Sequence, residues 1–317
     1  MTKKILLSGI QPSGKAHIGN YFGLMKRMVD YQDDYQCYFF LADYHALNTV
    51  QNKEILKENI INVVLDYLAI GFDPKKSIIF KQSDVSEHTE LAWIFDTITT
   101  MPYLERSHAY KDAVANGREI TVGLLNYPML MAADILLYDT DIVPTGQDQK
   151  QHVEYARDTA QKFNNVFKTE VFKLPESKII EELAVVPGID GRKMSKSYGN
   201  TIPLFAEDAE IEKAVMSIVT DSSGDKPENV YAIHKLLKTE AELASLYEEN
   251  KGKYKILKDA LIVDLKAFIG PMRERRKQFE NDPDLVLDIL KEGGKRAKQK
   301  AEKKMEEVRE AVGVKLY

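Results

Sequence analysis

A chain of 317 residues with 44% hydrophobic and 29% charged side chains is long enough for a large domain and a smaller one, each with its own core. The net charge of -5 argues against a general nucleic-acid binder, which needs a broad basic surface, but leaves room for a specific RNA partner. The single cysteine, Cys37, excludes an intramolecular disulfide and any thiolate cluster for zinc or iron–sulfur. No apolar run is long enough to span a bilayer, so the cytosol is expected.

The chain begins with charges and a short apolar run, Lys4 to Leu7, which reads as a first strand and not as a signal peptide. Further short apolar runs follow at Cys37 to Leu41, Ser77 to Phe80 and Asp141 to Val143. Helix-like segments lie between them, among them Ile18 to Tyr31 and Ile55 to Ile70, the latter ended by Gly71 with Pro74 beyond. This alternation predicts an α/β fold with a doubly wound parallel, Rossmann-like sheet, whose ligands bind beyond the carboxyl ends of the strands. After Asn200 the periodicity is helical, around Ile211 to Val219, Val230 to Leu237, Leu257 to Phe268 and Leu285 to Leu290, with breaks expected at Ser222–Pro227 and Gly270-Pro271. The expected division is a sheet domain over 1–200, a smaller all-helical domain over 201–290, and a charged, exposed C-terminal helix over 291–317 that can pack back on the first domain.

Two strings carry chemistry. Gly191-Arg192-Lys193-Met194-Ser195-Lys196-Ser197 sets two flexible cations around a hydroxyl-rich turn, which suits a polyphosphate whose charge shifts during reaction. Read alone, it is equally an exposed basic loop. Ile10-Gln11-Pro12-Ser13-Gly14-Lys15-Ala16-His17-Ile18-Gly19-Asn20 joins the first strand to a helix start. There Gly19 permits close approach of a nucleotide, and His17 and Asn20 can donate to phosphate oxygens. The plain alternative is that His17 and Asn20 cap the helix. Basic residues gather at Arg273–Lys277 and Lys295–Lys300, fitting either a solvated helix face or phosphate contacts.

Lys193 to Ser197 resembles the KMSKS signature, and His17-Ile18-Gly19-Asn20 a variant of the HIGH signature, of class I aminoacyl-tRNA synthetases. Ser8 to Gly14, Leu130 to Tyr138, Gly146 to His152 and Val219-Thr220-Asp221-Ser222 narrow the resemblance to bacterial-type tryptophanyl-tRNA synthetases; together these strings, in the family's order, cover most of the chain. The resemblance implies ATP-dependent formation of tryptophanyl-adenylate and transfer to tRNA(Trp), with L-tryptophan, ATP and tRNA(Trp) as partners, magnesium accompanying ATP, no protein-bound structural metal, and a homodimer. It assigns catalytic roles to His17, Asn20, Lys193 and Lys196. The ATP site comprises Gln11, Pro12, Ser13, Gly19, Asn20, Gly146, Gln147, Asp148, Val185 (or Val186), Lys193, Met194, Ser195, Lys196 and Ser197, with Asp148 placed to accept from the ribose hydroxyls.

The indole N–H is a donor only, so a selective pocket needs a buried acceptor. The resemblance gives this part to Asp134, whose competing reading is a cap or turn carboxylate, and sets Met131, Tyr127, His45 and Gln149 around the substrate. A lone histidine such as His45 is more often a hydrogen-bonded core residue. Leu7, Ala113, Gln147 and the segment Lys196–Asn200 depart from the common pattern. Leu7 is expected to reshape the pocket edge, and Ala113 to remove a phosphate contact after Lys111. A tyrosyl-tRNA synthetase is the nearest alternative, and a non-enzymatic nucleotide- or RNA-binding paralogue the next.

Overall fold

The computed structural model describes residues 3–145, 150–179, 186–220 and 226–317. Five strands, β1 (Ile5–Ile10), β2 (Gln36–Leu41), β3 (Ile78–Lys81), β4 (Ile142–Thr145) and β5 (Glu176–Ile179), form one parallel sheet in the order β3-β2-β1-β4-β5. β1 lies at the centre, in register with β2 from Ile5↔Gln36 to Ile10↔Leu41 and with β4 at Leu6↔Ile142. The order reverses beside β1, so the crevice at its carboxyl end is where a ligand is expected. The edge strand β5 lay outside the sequence expectation; Glu-Ser-Lys-Ile carries no apolar run to announce it.

Alternation along the strands divides the core. Leu6, Cys37, Phe39 and Leu41 join a cluster on one face with residues of the helical region, such as Ile211, Leu261 and Leu265. Leu7, Tyr38, Phe40 and Phe80 join a second cluster on the other face. The Tyr254–Glu280 helix packs on the Lys53–Ala69 helix. It runs through Gly270-Pro271, where a break was expected: Pro271 lies inside the helix, and burial of Ile269 and Met272 on either side outweighs the lost N–H.

The terminal helix spans Pro283–Ala311, so the expected boundary between 290 and 291 falls inside a continuous element. Nor is its charged stretch simply exposed. Gly293, Gly294, Ala297, Ala301, Lys304, Met305 and Val308 form a buried stripe, and Ala297, Ala301, Met305 and Val308 belong to the second cluster. A Cβ on Gly293 would run into the carbonyl of Ile79 on β3, so glycine lets this helix lie directly on the sheet's edge strand. Among the described residues no helix is long and apolar enough to cross a membrane.

Candidate functional site

The turn after β1 and the signature loop near residue 195 meet at the carboxyl end of the sheet. Gly14 adopts φ +50°, in the left-handed region that glycine favours, and its N–H donates to Asn59 Oδ1 at 3.2 Å. The chain then pairs with the segment following the signature loop: Ile18 N–H donates to Ile202 C=O at 3.0 Å, and Leu204 N–H to Ala16 C=O at 3.0 Å. Two stretches far apart in sequence are thereby locked side by side.

His17 is the N-cap of the Ile18–Asn20 turn, and its N–H donates to Asn20 Oδ1 at 3.1 Å. The capping alternative is therefore real, but incomplete. His17 is buried, and its Nδ1 has no hydrogen-bond partner, an arrangement that is costly unless a ligand or water meets that atom. Burial, followed by the charge of Lys196, lowers its pKa to about 4, so the imidazole is neutral near pH 7. Gly19 brings the strings together: a Cβ there would lie 2.9 Å from His17 Nδ1 and 3.2 Å from Met194 Cβ.

The signature loop is tied from within. Met194 N–H donates to Val186 C=O at 2.8 Å, and Ser195 N–H to Asn200 Oδ1 at 2.8 Å. The buried Asn200 also donates to Asp190 Oδ1 at 2.7 Å and Lys193 C=O at 3.2 Å. Gly191 (φ +82°) and Gly199 (φ +63°) bracket this loop. Lys196 Nζ reaches back to the Ser13 carbonyl. Burial lowers its pKa, opposed by the charge of Asp66. Lys193 is exposed at the mouth.

These residues enclose a cavity of about 680 Å³, lined by Gln11, Ser13, His17, Gly19, Asn20, Lys193, Met194, Ser195 and Lys196, together with Asp66, Tyr67 and Val186. Pro12 is buried outside this lining. Ser197 likewise does not line it, its Oγ lying 2.9 Å from Ser195 Oγ. Gly146, Gln147, Asp148, Gln149 and Val185 lie outside the described residues.

A second cavity, of about 600 Å³, adjoins the first and shares Gln11 and Leu24 with it. His45, Tyr127, Met131 and Asp134 line it, as do Leu7, Phe40 and His152. Asp134 is no cap: it lies within the last turn of the Val122–Leu136 helix, whose caps are Thr121 and Leu137, and is 1% exposed. Its Oδ1 accepts from Gln82 Nε2 at 2.7 Å and lies 2.6 Å from His88 Nδ1, while Oδ2 lies 2.9 Å from His45 Nε2. His88 Nε2 is 2.8 Å from the Tyr138 hydroxyl, extending the network into the core. Burial acts to raise the Asp134 pKa, but the hydrogen bonds and charges of His45 and His88 outweigh it and hold the group at about 2. A carboxylate accepts about four hydrogen bonds, so three partners leave capacity for one more.

Gln82, His88 and Asp66 carry no local motif and have no part in the sequence reading, and Tyr138 closes the Leu130–Tyr138 string without a role assigned to it. The one available signal was position, since Gln82 immediately follows the carboxyl end of β3. Ala113 is fully buried in the His108–Ala115 helix, so the expected loss of a phosphate contact there is better described as a change of packing. The basic cluster at 273–277 is largely engaged within the molecule: Arg273 with Ala206 C=O and Asp208 at 2.7 and 2.9 Å, Arg275 with Ala69 C=O at 2.7 Å, Arg276 with Asp66 at 2.7 Å, and Lys277 with Glu207 at 3.0 Å. In the later cluster Lys300 pairs with Asp139, and Arg296 donates to Pro74 C=O at 3.4 Å. Arg275, Arg276, Arg296 and Lys300 clamp the two long helices to the sheet domain, while Arg273 and Lys277 bind within the helical region, which weakens the reading of both clusters as phosphate contacts.

Adjacent cavities beyond the strand ends of a 3-2-1-4-5 sheet, one of them carrying Lys193 and Lys196, are the arrangement of a nucleotide-binding α/β protein. The family model for class I tRNA synthetases (W and Y) matches residues 2–261, and the chain belongs to this family. The tryptophan–tRNA ligase of Fusobacterium nucleatum subsp. nucleatum is 49% identical to it over 97% of each chain. That of Rhodopirellula baltica is 44% identical, covering 98% of this chain and 99% of the relative. The crystal structure of tryptophanyl-tRNA synthetase from Campylobacter jejuni complexed with ADP and tryptophan superposes with a TM-score of 0.92 at 44% identity, over 98% and 99% of the two chains.

Proposed function

We infer that the protein activates L-tryptophan with ATP and passes the tryptophanyl group to tRNA(Trp). The buried Asp134 network beside a lysine-bearing cavity carries this reading. The first cavity takes ATP and the second takes tryptophan with its indole N–H toward Asp134; Gln11 stands where the two substrates meet. The tryptophan carboxylate attacks the α-phosphorus, the bond to the bridging oxygen breaks, and pyrophosphate leaves. A ribose hydroxyl of tRNA then attacks the adenylate carbonyl and AMP departs. No protein atom forms a covalent bond, so positioning and charge stabilisation carry the rate.

Lys193 and Lys196 follow the charge on the departing pyrophosphate, while His17, neutral near pH 7, and Asn20 donate to phosphate oxygens. The unpartnered Nδ1 of His17 and the Cβ-free face of Gly19 suit a ligand in close contact. Among the described residues no group of three or more His, Cys, Asp or Glu is arranged to hold a metal ion; we assign magnesium to the ATP polyphosphate, where it neutralises charge beside the lysines.

Gly146, Gln147, Asp148 and Val185 complete the nucleotide site in this reading, and Gln149 the tryptophan site. Residues 1–200 are the catalytic unit, 201–290 contribute anticodon recognition, and 291–317 continue the terminal helix. A homodimer is favoured by exposed apolar side chains, Trp93 at 70%, Met101 at 56% and Val122 at 79% exposure, carried on helices that pack together. Charging tRNA places the work in the cytoplasm.

Pyrophosphate exchange measured with each standard amino acid in turn tests the assignment. Exchange with tryptophan alone is expected; preferential exchange with tyrosine would replace tryptophan as substrate, and exchange with none would leave the non-enzymatic reading. Charging of tRNA(Trp) against an anticodon variant tests the second half.

A further inference from the structure

A polyphosphate is strongly anionic, and a carboxylate in the wall of its cavity opposes it unless another charge compensates. Asp66 is the sole carboxylate among the described residues lining the nucleotide cavity, and it is 2% exposed. Its compensation comes from the helical region. Arg276, on the Tyr254–Glu280 helix, donates from Nε to Asp66 Oδ1 at 2.7 Å and from Nη2 to Asn62 Oδ1 at 2.7 Å; its Nη1 pairs with Glu280. Asp66 shares the cavity wall with Ala16, in the turn that leads to His17, and with Lys196, whose charge acts on it. Arg276 is thus ion-paired with this buried carboxylate, while Lys196 of the signature loop lines the same cavity with its Nζ on the Ser13 carbonyl.

We propose that Asp66 and Arg276 form a positioning pair for ATP, in which Arg276 takes up the charge of Asp66 so that Lys196 remains available to the polyphosphate. The pair touches neither the reacting atoms nor tryptophan; it acts through Lys196. It also joins the long helix of the helical region to the wall of the nucleotide site. The charged and titratable groups set around Asp66 are Arg276 and, beyond it, Glu280 from the long helix, Lys196 from the signature loop, His17 beyond the Ala16 turn, and Tyr67 on its own helix. Removing Arg276 leaves Lys196 as the nearest counter-ion, so Lys196 is drawn to Asp66 and the anionic wall is unmasked. Removing both charges restores Lys196.

This rests on the reading of the cavity as the ATP site. The test is pyrophosphate exchange by the full chain with Arg276→Met, Asp66→Asn and the double variant, varying ATP and tryptophan separately. Arg276→Met is expected to raise the KM for ATP about tenfold, because it leaves an uncompensated carboxylate in the cavity wall, with the KM for tryptophan nearly unchanged. Adding Asp66→Asn to it should return the ATP value to within about threefold of the parent, since no unpaired buried charge remains. A merely structural pair predicts no such rescue: a double variant as impaired as Arg276→Met, or parallel loss for both substrates, overturns the proposal. If Arg276→Met does not fold, Asp66→Asn decides alone. A lower KM for ATP supports the pair, because the anionic wall is gone and Lys196 is free for the polyphosphate, and an unchanged or raised KM overturns it. Absence of ATP-dependent exchange in the unsubstituted chain would instead remove the ATP assignment itself.

Discussion

The two cavities share a boundary and are built on opposite principles. Around the cavity proposed for the nucleotide the cations stand on turns: Lys193 is exposed, and Lys196 is held by a backbone carbonyl, a contact a phosphate oxygen can replace. Around the cavity proposed for tryptophan the polar groups stand on helices or directly after strands and are bound to one another, with Asp134, His88 and Gln82 all buried. The difference follows from what each must do. Charge moves along the polyphosphate during reaction, so its partners gain by being adaptable. The indole N–H does not move, and selecting it requires an acceptor that is fixed and already desolvated.

The sharpest way to break this contrast is at Asp134. Asp134→Ala leaves His88, Gln82 and His45 facing an empty position, and losing one partner of a buried charged network costs about 3–5 kcal/mol. Tryptophan activation should fall by roughly two to three orders of magnitude in kcat/KM, while the dissociation constant of ATP changes little. Asp134→Asn retains an acceptor and should lose about 1.5–3 kcal/mol. Separate titrations of the two substrates check this, and equal losses for both would remove the distinction between the cavities.

On the lysine-bearing side, Lys196→Ala should slow adenylate formation by about two orders of magnitude, in the range known for removing a transition-state donor, and leave the dissociation constant of tryptophan unchanged. Single-turnover kinetics separate the chemical step from binding. An unaltered step with weakened tryptophan binding would assign Lys196 to the wrong cavity.

What was legible in the chain divides along the same line. His17, Gly19, Asn20, Lys193 and Lys196 belong to contiguous strings, so their association could be read before any geometry existed. The strands β1 to β4 declared themselves as apolar runs, because burial on both faces removes polar residues from them. β5 did not, being a polar edge strand. The Asp134 network was legible only at its centre: Gln82 and His88 come from a different segment, and their meeting depends on how the Glu87–Asp96 and Val122–Leu136 helices pack. Charge was the most misleading signal. Arg273 to Lys277 reads as a basic patch, yet Arg273, Arg275 and Arg276 each donate to a backbone carbonyl or carboxylate of another segment. Likewise the terminal helix hides a buried small-residue stripe beneath its lysines.

A smaller effect is expected where the two signatures touch. Gly19→Ala places a methyl against His17 Nδ1 and Met194 Cβ, so the ring or the loop must shift by a few tenths of an ångström. The strain is on the order of 1–3 kcal/mol, and it should appear as a raised KM for ATP with tryptophan binding nearly intact. A Gly19→Ala protein with unchanged ATP kinetics would show that the contact between the strings has slack.

The smallest effect concerns the protonation of His17 and is read in stability. Its pKa falls from the ordinary value of 6.5 to about 4 in the folded chain, through burial first and the Lys196 charge second. Between those values the unfolded chain binds a proton at this position and the folded chain does not, so ν for the unfolded state is larger and stability rises with pH. His17 therefore contributes stability that is fully present above pH 6.5 and is lost as the pH falls toward about 4. Chemical denaturation of the parent and of His17→Asn across that window should differ in slope, the parent losing on the order of 1 kcal/mol more once solvent screening is allowed for. The Lys196→Ala background sharpens the comparison. Removing the nearby cation should raise the His17 pKa part of the way back and narrow the window, whereas a window set by burial alone would stay where it is.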